Sequence, residues 1–131
     1  RLERSDGMED QELLQGEWSM ISMEIRSVKS TDDDVKNYKL TVNGDKWVVT
    51  KGEKIIVNAV IRIDQLKAPW VIDLVQKTGG ADLISPGIFK IEGDTFTMCR
   101  TGGYKDRPKE FKTTLDSSIL VVWKRLTEKR G

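Results

Sequence analysis

The sequence predicts an all-β domain, an eight- to nine-stranded antiparallel meander that closes on itself as a barrel, with a short N-terminal helix in front. Three observations predict it. From Glu17 onward, β-branched and aromatic residues alternate with polar ones. Two Gly-Asp pairs interrupt that alternation with the spacing of tight hairpins. No helical segment is long enough to serve as a crossover, so successive strands are expected to lie side by side and antiparallel.

The elements follow in order. Residues 5–15 read as the helix: Ser5 or Asp6 caps it, acids occupy its first turn, and Gly16 ends it. The first strand, Trp18 to Val28, changes phase. Trp18 and Met20 share one parity, and Ile21, Met23 and Ile25 share the other, so a bulge or bend is expected near Met20. Two hairpins run from Tyr38 to Thr50 and from Gly87 to Cys99, turning at Gly44-Asp45 and Gly93-Asp94. Glycine at the first central position supplies the positive φ of a type II′ turn. A two-residue loop then fixes the pairs Val42–Trp47, Leu40–Val49, Ile91–Phe96 and Phe89–Met98, all apolar on one face. Ile55, Val57, Ala59, Ile61 and Ile63 form a further apolar face, with Arg62 and Asp64 opposite, and Trp70, Ile72 and Leu74 alternate against Asp73. Glu110 to Leu115 is a short candidate strand before the strong run Ile119 to Leu126. The expected strands are therefore 17–28, 38–43, 46–51, 54–64, 69–76, 87–92, 95–100 and 110–126, the last one or two strands. Such a meander buries its apolar face by closing into a barrel, with two packed sheets as the alternative.

Composition sets the limits. A chain of 131 residues and 14.9 kDa is one domain, divided here into an extension (1–11), a barrel (12–126) and a tail (127–131). Scaling for this mass leaves roughly 7,000 Å² exposed when folded, about a third of the unfolded surface, so a core needs no metal or disulfide. Twenty-two basic and 21 acidic residues give a net charge of +1, which provides no field for nucleic acid or an acidic membrane. The absence of histidine removes Ser-His and Cys-His catalysis and every His-containing metal site. One cysteine removes an internal disulfide and Cys-cluster metal sites. The longest apolar run is Ile119 to Trp123, too short for a transmembrane segment. No cofactor motif is present, and no signal peptide is visible in this chain.

The residues with chemistry are few. Cys99 lies on the parity opposite Phe96 and Met98 with no base to activate it, so an inert structural thiol is expected. Asp32, Asp33 and Asp34 lack the spacing of a cation loop and are expected to cap a turn or short helix before Tyr38. Two Gly-Gly loops, 77–82 and 100–107, lack the helix and Lys-Ser/Thr of a phosphate cradle. The second is a candidate rim of a barrel mouth, with Arg100, Tyr104 and Arg107, joined by Tyr38, as polar readers of a ligand. Arg62 is expected to face solvent. The carboxylates Glu24, Asp64, Asp73 and Glu92 form no recognisable acid–base pair.

Leu14-Gln15-Gly16-Glu17-Trp18 resembles the opening phrase of the lipocalin-like domains of unknown function found in planctomycete-type bacteria. The resemblance continues through Gly44-Asp45, Ile72-Asp73-Leu74, Gly87-Ile88-Phe89, Glu92-Gly93-Asp94-Thr95, Arg107-Pro108 with Phe111, and Val121-Val122-Trp123-Lys124-Arg125. It covers about residues 12–126 and implies a calycin-type barrel without an established biochemical role. It also implies an extracytoplasmic protein or part of a larger one. Gly16-x-Trp18 is similar to the start of the lipocalin first strand. That likeness implies barrel closure by Gly16 and Trp18, with Lys124 or Arg125 over the indole. The leading functional expectation is a non-enzymatic binding module holding a small apolar or amphipathic ligand, or a peptide, at the open end. The alternative is a structural or protein-interaction domain whose barrel is filled by its own side chains.

Overall fold

The computed structural model describes residues 13–66, 68–77, 82–101, 106–113 and 118–126. Its strands are β1 (Gly16–Ile25), β2 (Val28–Lys29), β3 (Tyr38–Asn43), β4 (Lys46–Lys51), β5 (Lys54–Asp64), β6 (Trp70–Lys77), β7 (Asp82–Glu92), β8 (Thr95–Thr101) and β9 (Ser118–Arg125). One helical turn, α1 (Asp32–Val35), lies between β2 and β3. The strands pair antiparallel in the order β2-β1-β3-β4-β5-β6-β7-β8-β9, and β1 also pairs with β9. Eight strands therefore close a barrel, and β2 is a short extra strand on the upper half of β1.

Turn chemistry places the hairpins. Gly44 and Gly93 have φ of 65° and 64°, and the observed registers contain the four expected pairs. Gly52, with φ 63°, begins a third two-residue turn of the same design between β4 and β5. The phase change in β1 is a bulge: Met20 faces Trp123 and Ser22 faces Val122, leaving Ile21 as the extra residue, 45% exposed. The bulge keeps both Met20 and Met23 on the inner face.

Several expectations are corrected. Of the helix expected over 5–15, residues 5–12 lie outside the described residues, and only Leu13 and Leu14 are seen with helical backbone. The helix described in full is α1, capped by Thr31 in a reciprocal capping box with Asp34. The first strand stops at Ile25 because Arg26 and Ser27 take positive φ and turn the chain back. Ile55 is not inward: a second bulge, at Ile56, shifts the β4–β5 register and leaves Ile55 60% exposed. β7 starts at Asp82 rather than at 87, with Pro86 inside it opposite Asp73. Among the described residues, 106–113 form no strand. The β1–β9 pairing has already joined the first and last strands of the barrel, so β9 offers that segment no edge.

The base of the barrel is solidly packed. The rings of Trp18, Trp47 and Phe89 surround Phe96 at centroid distances of 5.4, 6.0 and 5.9 Å, and Trp70 packs on Phe89 at 5.6 Å. The tilted and edge-on geometries are the favoured ones for such pairs. Leu14 and Trp18 are fully buried, and the Trp18 indole N–H donates to the Leu14 carbonyl at 2.9 Å. Arg125 covers the indole, its guanidinium carbon 4.1 Å from the ring centroid. The same guanidinium donates to the carbonyls of Leu13 and Gln15 at 2.8 and 2.9 Å. Gly16, at φ 115°, lets the chain pass beneath it.

Trp18 thus ties the entering chain, the aromatic base and the last strand together. Trp18→Ala is expected to lower unfolding free energy by about 3–5 kcal/mol, the range for large aromatic truncations in a core. Chemical denaturation checks this, and a loss below about 1 kcal/mol would show that Trp18 closes nothing.

Candidate functional site

Above the aromatic base the interior is not filled. A cavity of about 110 Å³ lies there, partly open to solvent. Its floor is formed by Trp47 and Trp123, and its walls by Met20, Val49, Val57, Met98 and Val121. Nearer the mouth stand Met23, Tyr38, Ile56, Arg100 and Ile119. The two bulges matter here. The one in β1 places Met23 inward, and the one in β5 brings Ile56 to the mouth, where it is 43% exposed. The mouth also follows from a split in the sheet. β1 pairs with β3 only from Gly16 to Ser19, and above that point the 26–37 link crosses the gap, with Val35 buried in it.

Arg100 is the charged group of this cavity. It continues the inward parity of Phe96 and Met98 on β8 and pairs opposite Gly87. A Cβ at Gly87 would sit 2.8 Å from the Cys99 carbonyl oxygen and 2.9 Å from Arg100 Cβ, so glycine is what lets this arginine stand inside. Its Nη1 donates to Ser85 Oγ at 3.0 Å, and the Ser85 hydroxyl donates onward to the Thr101 carbonyl. That is the one hydrogen bond that the guanidinium makes to a described residue, and no described carboxylate lies within ion-pair distance of it. Burial lowers its pKa, yet a guanidinium keeps its charge at neutral pH. The Trp123 indole N–H is buried without an acceptor among the described residues and is shut off from the water-accessible space, so the ring lines the cavity with its carbon atoms.

Of the other sequence-predicted residues, one shares this mouth. Tyr38 lines the mouth, with Lys51 Nζ 5.3 Å from its ring centroid. Tyr104 lies outside the described residues. Arg107 is on the outer wall, where it donates to Asp73 at 2.8 Å and to the carbonyls of Gly87 and Ile72 at 2.9 and 3.4 Å. It pins the 106–113 segment across β6 and β7. Farther along that segment, Lys90 sits 4.9 Å from the Phe111 ring centroid, and Thr113 bonds Ser27 and Glu24. This covering reaches Cys99, which is buried although its parity is outward. The basic residue over Trp18 is Arg125, while Lys124 points outward and is exposed. Arg62 is exposed. Ser85 is not among the sequence-predicted residues, because it precedes Gly87, where the expected strand begins.

Cys99 is fully buried, 3.5 Å from the Lys112 carbonyl oxygen. Burial above all, with the nearby Glu24 carboxylate adding to it, raises the thiol above its ordinary value of 9.0. A raised native pKa means that this group's contribution to stability is complete below the unfolded value and is lost as pH rises through the native one. Because Cys99 is shut off from solvent, the folded protein is expected at pH 8 to react with a disulfide reagent at least about 100-fold more slowly than the unfolded chain. Rapid stoichiometric labelling of the folded protein would contradict that placement.

Compared with protein-family models, curated proteins and solved structures, the chain matches none.

Proposed function

We propose that this protein is a non-enzymatic binding module whose barrel holds a small apolar or amphipathic molecule in its open half. The observation that carries this reading is the cavity between the Trp47–Trp123 floor and the Tyr38–Ile56–Arg100 mouth. A core built only for stability packs to crystal-like density, because each void forfeits contacts. Here the base of the same barrel is packed that way and the upper half is not. Apolar walls with one or two polar anchors are the usual make-up of a small-molecule site.

The filled base favours a second reading, a barrel packed by its own side chains that serves as a structural or interaction domain. The unfilled upper half and its arginine favour the first. Denaturing purified protein is expected to release a stoichiometric small molecule visible by mass spectrometry. Failing that, the empty barrel is expected to bind 1-anilinonaphthalene-8-sulfonate saturably and quench Trp47 and Trp123. Val121→Phe, which fills the cavity, is expected to weaken dye binding at least about tenfold while the β-sheet spectrum is retained. If no compound is released and no saturable binding is seen, the reading is overturned.

A further inference from the structure

The described residues that line the cavity include one cation and no anion. Arg100 brings a full positive charge into an apolar space, and among the described residues only Ser85 meets it. A guanidinium has five N–H donors in a planar fork. A buried cation is stabilised by an anion that reaches it, and the fork shape suits the two oxygens of a carboxylate. One uncompensated charge matches one negative charge. The remaining walls, of methionine, tryptophan, valine and isoleucine, offer an apolar body nothing but contact. Size limits that body: an engineered apolar void of roughly 150 Å³ takes benzene, so about 110 Å³ opening outward suits a short acyl chain or a single ring.

We propose that the ligand of this barrel is a small amphipathic monocarboxylate, its carboxylate received by Arg100 at the mouth and its apolar body directed toward Trp47 and Trp123. This rests on the binding-module reading above and names the chemistry of the same site. Ser85 is a positioning residue. Its hydroxyl gives its proton to the Thr101 carbonyl and so turns a lone pair toward Arg100. That fixes one edge of the guanidinium and leaves the other donors free for the ligand. Gly87 provides the space in which this arrangement stands.

The test is calorimetric titration of the full chain with hexanoate and benzoate against their neutral counterparts, hexan-1-ol and benzyl alcohol. The carboxylates are expected to bind at least tenfold more tightly. Arg100→Leu is expected to abolish that preference while the alcohols still bind, Arg100→Lys to retain part of it, and Ser85→Ala to reduce it. Lys51→Ala, which removes a cation outside the cavity, is expected to change it less than twofold. Folding of each variant is checked by its amide spectrum. If Arg100→Leu does not fold, the Lys and Ser85→Ala variants carry the comparison. Equal binding of acid and alcohol would overturn the proposal and leave the binding module intact. So would inorganic phosphate competing as well as hexanoate. Dye binding without binding of any of the four probes would refute the small-ligand assignment, and loss of dye binding as well would refute the module itself.

Discussion

The pairing of β1 with β9 is the constraint on which the rest of the structure depends. A curled sheet of eight strands has two edges, each a row of unpaired backbone groups, and joining them satisfies both. Closure requires the first strand to serve neighbours on both sides, and it does so unevenly. Its lower residues, Gly16 to Ser19, pair with β3, while Trp18 to Ile25 pair with β9. The bulge at Ile21 is where β1 changes direction between these tasks. Arg125 then locks the junction, sitting over Trp18 and holding the carbonyls of Leu13 and Gln15. A cation over an indole contributes roughly 0.5–2 kcal/mol, depending on desolvation.

Uneven pairing also divides the interior. Where β1 is hydrogen-bonded on both sides, the barrel is narrow and four aromatic rings fill it. Where β1 parts from β3, the link through β2 and α1 bridges the gap, and the space inside stays open. Stability and site are thus assigned to opposite ends of one sheet. The outer wall repeats this division of labour. The 106–113 segment, anchored by Arg107 and Thr113, covers β8 and buries Cys99. That leaves Arg100, the next residue along, to face inward alone.

Much of this was legible in the residues themselves, and the reasons are local. Gly44-Asp45 and Gly93-Asp94 combine turn chemistry with alternation on both sides, two independent signals that agree on register. The change of parity between Met20 and Met23 announced the first bulge. The second bulge was hidden, because Ile55, Ile56 and Val57 are all apolar and either phase reads equally well. Glu110 to Leu115 looked like a strand because alternation says nothing about whether a partner edge exists. Pro86 masked the start of β7. Arg100 stands where the expected strand 95–100 meets the glycine-rich loop, and the parity it shares with Phe96 and Met98 carries it into the barrel.

Closure is tested most directly by solution NMR of the intact chain, through nuclear Overhauser contacts between the backbones of β1 and β9. A closed barrel requires cross-strand contacts from Met23 to Val121 and from Trp18 to Arg125, interrupted at Ile21. If those contacts were missing while the β3–β4 and β7–β8 hairpins kept theirs, the sheet would be open, and the cavity described here would have no fourth wall.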